Sequence, residues 1–236
     1  MAIPENFLAL LSHPNPALAI KFSHDADEEP IVVGIRNILG SKQEKAGHHY
    51  IESINKDGII DSFSDFYDRY DGGGLFSPYG NPNVKQKPLI QLVPAIHIRE
   101  FTSQYEPGGD KAWIMDYNKT KTIYRDGHKW IAFAQVVEGP SCLCMFITGE
   151  NAGGVFFAEP EPHFNTLKPI AKNFNAFLER IAKDPAALLR IIRAYVTVKQ
   201  RNDDNFGYLA TSYLPNATDI LSVIPENKSL WKRIFR

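Results

Sequence analysis

Cysteine is nearly absent from this chain: Cys142 and Cys144 are its only two. They lie two apart in an apolar run, where strand alternation would put both on one face. Two thiols without further ligands at metal spacing make neither a zinc site nor a disulfide framework. They read as buried free thiols, which points to a reducing setting. A charge excess is missing too. Lys and Arg number 26 against 27 Asp and Glu, a net charge of −1, without the basic surplus that phosphate neutralisation demands of a nucleic-acid binder. The basic stretch Lys228, Lys232, Arg233 and Arg236 has a local reason, because cations suit a helix C-terminus. No run reaches the ~18–20 apolar residues needed to cross a bilayer. The opening "MAIPENFLALLSHP" lacks the cationic start and apolar length of a secretion signal. The expectation is a cytoplasmic protein without membrane or direct nucleic-acid partners.

Catalytic motifs are equally scarce. G-x-x-x-x-G-K-[ST], H-E-x-x-H and G-x-S-x-G do not occur. His48 and His49 are adjacent, hence about 100° apart on a helix, and cannot grip one metal from one side. His24, His97, His128 and His163 share no spacing. Glu159 and Glu161, in "EPEP", and the neighbours Asp203 and Asp204 are carboxylates without a second supporting motif. No catalytic residue, cofactor or metal is expected. A hydrolase or metal-dependent enzyme would have to be assembled from distant residues.

What is present is an ordinary folding composition. Apolar residues make up 44% of 236, enough for a core and for one large domain with extensions. A helix is expected from Pro4, with Phe7, Leu8, Leu10 and Leu11 on its apolar side. "IVVGIRNIL" (31–39) fits strand or helix, and a helix is read over 43–54. Phe63, Phe66, Tyr67 and Tyr70 then fall on one side of a helix opening at Ser62. Gly72, Gly73 and Gly74 follow it and read as its stop, with positive φ tolerated by glycine. A phosphate-binding loop would have to precede a helix instead. After a Pro- and Lys-containing loop (78–88), "LIQLVP" reads as a strand and "AIHIREFTSQY" as a helix burying Ile96, Phe101 and Tyr105.

From Lys111 the pattern turns to short strands: "AWIMDY", "KTIYRD", "WIAFAQVV", "SCLCMFIT" and "GGVFFAE". Their close spacing suggests an antiparallel meander. "CLCMFI", apolar on both faces, suits a strand covered on each side, and 149–154 reads as a hairpin connection. "LKPIAKNFNAFLERIAKD" is the clearest helix, with Ile170, Phe174, Phe177, Leu178 and Ile181 on one face. Asp184-Pro185 caps a further helix in which Leu188, Ile192, Tyr195 and Val196 share a face. "RNDDNFGY" reads as a loop, "LATSYLP" stays undecided, and the end of the chain reads as an amphipathic helix with Leu230, Trp231, Ile234 and Phe235.

The order of these pieces resembles the SUKH superfamily, in the branch named for fungal cell-wall-assembly regulators. The resemblance rests on Phe66, Tyr67, Tyr70, Asp71, Gly72 and Gly73; on Trp130 with Phe133; and on Ala171, Phe174, Phe177 and Leu178. It spans about residues 40–183. Asp71 stands where the family usually has Asn, and Asn173 where it usually has Ser. The resemblance implies an α+β fold, a mainly antiparallel sheet with helices packed against it. Residues 1–39 would be an N-terminal extension and 184–236 a C-terminal helical extension packed on the domain. Phe66, Tyr70, Gly72, Gly73, Trp130, Phe133, Phe174, Phe177 and Leu178 would be fold determinants. The implied function is non-enzymatic protein binding: an immunity protein blocking a cognate toxin domain, or else a regulatory scaffold. For a basic toxin, acidic loops holding Asp25, Asp27, Glu28, Glu29, Glu159, Glu161, Asp203 and Asp204 are the candidate contact residues.

Overall fold

A computed structural model of the protein describes residues 2–21, 31–41, 48–55, 57–79, 84–114, 129–136, 139–159, 169–199 and 205–216. Its strands are β1 (Ala17–Lys21), β2 (Ile31–Ser41), β3 (Tyr70–Tyr79), β4 (Ile90–Leu92), β5 (Trp130–Val136), β6 (Cys142–Phe146), β7 (Val155–Ala158), β8 (Tyr195–Lys199) and β9 (Asn205–Leu214). The helices are α1 (Glu5–Leu11), α2 (His48–Ile54), α3 (Asp61–Tyr67), α4 (Ile98–Ser103, after a 3-10 turn at Ala95–His97), α5 (Phe174–Lys183) and α6 (Pro185–Ile191). The nine strands form one sheet in the order β7-β6-β5-β4-β3-β2-β1-β9-β8, with every neighbouring pair antiparallel. The fold is α+β, a mainly antiparallel sheet with helices packed on it.

β2 settles the ambiguity of "IVVGIRNIL". Val33 and Ile35 are buried while Arg36 and Ile38 are exposed, the period-two alternation of a strand with one inward face. In β6 both alternating sets are buried, Cys142 and Cys144 on one side, Leu143 and Met145 on the other. The 149–154 segment joins β6 to its antiparallel neighbour β7, as the turn residues suggested.

The glycine triplet does something other than stop a helix. α3 ends at Tyr67, and Tyr70 already belongs to β3, so Gly72–Gly74 lie inside a strand. Gly72 has φ 71° and a Cβ there would sit 2.8 Å from the Leu92 carbonyl oxygen; Gly73 has φ 127° and a Cβ would collide with the Ile38 carbonyl. The backbones of β4 and β2 close in from the two sides, and only glycine leaves room. "LFSPY" accordingly continues the strand to Tyr79 rather than turning.

Other expectations shift with phase and partner. The 3-10 turn before α4 rotates Ile96 outward, leaving it 57% exposed, while Phe101 and Tyr105 are buried. Residues 112–114, expected as strand, are a helical turn, held where the Lys111 N–H donates to the Gln104 carbonyl at 2.8 Å. "KTIYRD" lies outside the described residues. α5 begins at Phe174, so Ile170 precedes it; Asn173 caps it by accepting the Ala176 N–H at 2.8 Å. That is the service Ser would give. Asp184 accepts the Ala187 N–H at 2.9 Å and Pro185 opens α6, as read from sequence.

α6 does not continue to Val196. Arg193 turns to φ 51° and the Ala194 N–H returns to the Leu189 carbonyl at 2.8 Å, closing the helix. Tyr195 and Val196 therefore start β8. "NFGY" and "LATSYL" together form β9, which sits between β1 and β8. From residue 184 onward the described chain is one helix and two strands, not helix alone, because β1 offers an edge that only a strand can pair. The first 39 residues likewise supply α1, β1 and most of β2. The stretch carrying Leu230, Trp231, Ile234 and Phe235 lies outside the described residues.

These contacts set two expectations for urea denaturation. Gly73→Ala should destabilise by more than about 3 kcal/mol through forced backbone movement, whereas Gly139→Ala, whose Cβ would meet nothing closer than the Ser141 nitrogen at 3.9 Å, should stay within about 0.5 kcal/mol. Phe174→Ala should cost ~3–5 kcal/mol.

Candidate interaction surface

Most of the residues that carry the resemblance are brought together, and they are interior. Phe66, Phe133, Phe174, Phe177 and Leu178 are buried. Phe133 lies 5.5 Å from Phe174 and 5.9 Å from Phe177; Phe66 lies 5.3 Å from Phe174 and 5.4 Å from the half-buried Tyr70. Trp130, at the start of β5, packs against the core outside this ring cluster. Asp71 accepts the Ala95 N–H at 2.7 Å, an acceptor's role that Asn would fill equally well. The buried Tyr67 hydroxyl donates to the Val93 carbonyl at 2.7 Å, and burial, with the Asp71 charge beside it, pushes its pKa far up. Burial does the same to the Cys142 thiol, with Cys144 adding to it, the opposite direction from the lowered pKa that activates a cysteine.

The acidic candidates divide. Asp25, Asp27, Glu28, Glu29, Glu161, Asp203 and Asp204 lie outside the described residues. Glu159 is described and is not on an exposed loop: it is 6% exposed, and Arg193 reaches it at 3.3 Å. The first residue of "EPEP" therefore ends β7 indoors, because its carboxylate ties β7 to the chain between α6 and β8. His49 and His97 each face a carboxylate three residues on, Glu52 at 3.5 Å and Glu100 at 3.4 Å, while His48 meets Asp68 at 3.4 Å and His13 meets the Tyr213 hydroxyl at 2.9 Å. Among the described residues no three His, Cys, Asp or Glu side chains converge as a metal site.

A different constellation stands on the outward face of β2 and β3, and sequence reasoning missed it. The register sets Gly34 opposite Tyr79, Arg36 opposite Ser77 and Ile38 opposite Gly74. Tyr79 lies across Gly34 so closely that a Cβ at 34 would come within 2.8 Å of the ring. The Arg36 guanidinium carbon rests 4.5 Å from the centre of the same ring, a cation–π stack. Ile38 is 60% exposed beside it. Between Arg36 and Ile38 the register shifts at a bulge; there Asn37 accepts the Phe76 N–H at 2.8 Å, and Phe76 adopts φ 57°. Once "IVVGIRNIL" is read as a strand, its outward set Val32, Gly34, Arg36 and Ile38 is conspicuously unlike a solvated polar face. The signal was present but depended on that choice.

The SMI1 / KNR4 family (SUKH-1) matches residues 58–180, just over half of the chain, from the turn before α3 into α5. No curated protein and no solved structure matches the chain.

Two measurements follow from the buried ionisable groups. Tyr213 is pushed up to about 12 by burial, and Tyr67, Tyr105 and Cys142 are also raised. Groups that hold their protons more tightly when folded give stability that is complete below the unfolded pKa and lost as pH rises above it. Stability should therefore be flat at neutral pH and fall from about pH 9 upward, first as the unfolded Cys142 thiol and then as the unfolded tyrosines ionise. Tyr67→Phe should lessen the part of that fall above about pH 10 in urea titrations. Separately, Arg193→Gln should cost about 2 kcal/mol by exposing the buried Glu159 charge to poorer compensation, with much of the loss recovered in the Glu159→Gln/Arg193→Gln double variant.

Proposed function

The chain belongs to the SMI1 / KNR4 family (SUKH-1), and from that premise we propose that it is a non-enzymatic protein-binding domain, an immunity protein that binds and blocks a cognate toxin. Family membership carries this reading. Inhibition by occlusion asks for a rigid surface rather than a reactive centre. A specific complex buries on the order of 1,200–2,000 Å², with most of its energy concentrated in a few aromatic or Arg anchors. Arg36, Tyr79 and Ile38 supply such residue types on a sheet face, where little conformational freedom is lost on contact. The family segment supplies β3 and thereby Tyr79, while Arg36 and Ile38 come from β2, just upstream of it.

The setting proposed is the cytoplasm, where a toxin aimed at intracellular targets would be met. No helix among the described residues is long and apolar enough to cross a membrane. The acidic residues Asp25, Asp27, Glu28, Glu29, Glu161, Asp203 and Asp204 would hasten encounter with a basic toxin through long-range attraction.

The test is co-expression with the toxin domain encoded by an adjoining gene. Survival of the host together with a co-purifying complex is the expected result. A complex without survival would make the protein a regulatory scaffold. Neither survival nor a complex would remove the immunity reading.

A further inference from the structure

The Arg36–Tyr79 stack is a built feature. Gly34 is the residue that lets the Tyr79 ring lie against the strand, since any side chain there would meet the ring. The guanidinium lies over the ring, its carbon 4.5 Å from the centre, and it carries five N–H donors, more than one ring can occupy. Among the described residues no Asp or Glu pairs with Arg36. Elsewhere the guanidinium groups of Arg193 and Arg180 are engaged, one by Glu159 and the other by the Ile170 carbonyl. Among the described residues that β2 and β3 set beside Arg36 on this face, Gly34, Ile38, Gly74, Ser77 and Tyr79, none is charged.

We propose that Arg36, held on Tyr79 and flanked by Ile38, receives a carboxylate of the partner protein, an Asp or Glu side chain set beside an apolar one. This rests on the protein-binding reading above and adds the chemistry of the contact. The fork of an Arg matches a carboxylate with two parallel hydrogen bonds. Bringing an apolar neighbour onto Ile38 and Tyr79 removes water from that pair, which strengthens it and makes it selective. A nucleic acid fits this face poorly, because its affinity comes from several cations spaced along a phosphate backbone, and one guanidinium among uncharged residues is not that. The bulge at Asn37 and Phe76 sets the geometry: it separates the Arg36–Ser77 and Ile38–Gly74 pairings and alters the local twist.

The experiment needs no toxin, so its outcome is separable from that of the survival assay. A phage-displayed library of short random peptides is panned on the full-length protein and counter-selected on Arg36→Gln. Arg36 is exposed, and equal urea midpoints confirm that the variant is folded. Peptides retained by the wild type alone should be enriched in Asp or Glu next to apolar residues. Synthetic copies should lose about tenfold or more in affinity on Arg36→Gln, and similarly on Tyr79→Ala, on Ile38→Asp and when their own acid becomes an amide. Arg36→Lys should fall between, keeping the charge without the fork. Recovery of no peptides, recovery of peptides without acidic residues, equal binding to Arg36→Gln, or tighter binding of a single-stranded oligonucleotide at Arg36 would each overturn the proposal. So would a toxin complex that Arg36→Gln forms as well as the wild type does.

Discussion

Three phenyl rings hold the rest of the molecule in place. Phe63 of α3, Phe133 of β5 and Phe174 of α5 meet pairwise at 5.0, 5.6 and 5.5 Å, each pair close to edge-on. Edge-to-face contact sets the positive rim of one ring against the negative face of another and adds about 0.5–1.5 kcal/mol per pair beyond area burial. The three elements are far apart in the chain, so the triangle is what joins two helices to the sheet. Phe66 extends it toward α1 through Phe7 at 6.4 Å, and Tyr67 fastens α3 to the residue after β4 by its hydrogen bond to Val93. With α3 fixed, the chain can only leave it into β3, and the glycines there admit β2 and β4 at close range.

The sheet that results is guarded at both margins. At β7 the Val155 N–H donates to the Ala171 carbonyl at 2.9 Å, and at β8 the Lys85 N–H donates to the Thr197 carbonyl at 3.0 Å. Backbone that would otherwise offer itself to another chain is thereby partly occupied. The face of β2 and β3 is treated differently: a stacked cation and a bare isoleucine remain outside the core. A fold that covers its edges and leaves that patch open has separated what must stay apart from what is free to bind.

How much of this was legible depended on the distance between cause and effect. Phe174, Phe177, Leu178 and the Asp184-Pro185 cap announce themselves because helix period and capping are local. Cys142 to Met145 read as a strand covered on both faces for the same reason. Gly72 to Gly74 misled, since positive φ after a helical pattern is the mark of a helix end and equally of two backbones passing close by; only the partner strands decide between them. Tyr195 and Val196 continue a helical stripe but are claimed by β9. Glu159 looked like an exit-loop acid because Arg193, which takes it inside, is remote in sequence. The Tyr79 ring finds Arg36 through register alone, and no local pattern carries register.

β1 has its second neighbour in β9, and the contact of His13 with Tyr213 beside them spans 200 residues. On a ribosome, β1 would emerge long before β9 exists, with one ladder of N–H and C=O groups still waiting. β2, β3 and β4 pair with their sequence neighbours as they emerge, so it is this one edge of β1 that stays open until β9 is made, and its closure is a late, long-range event.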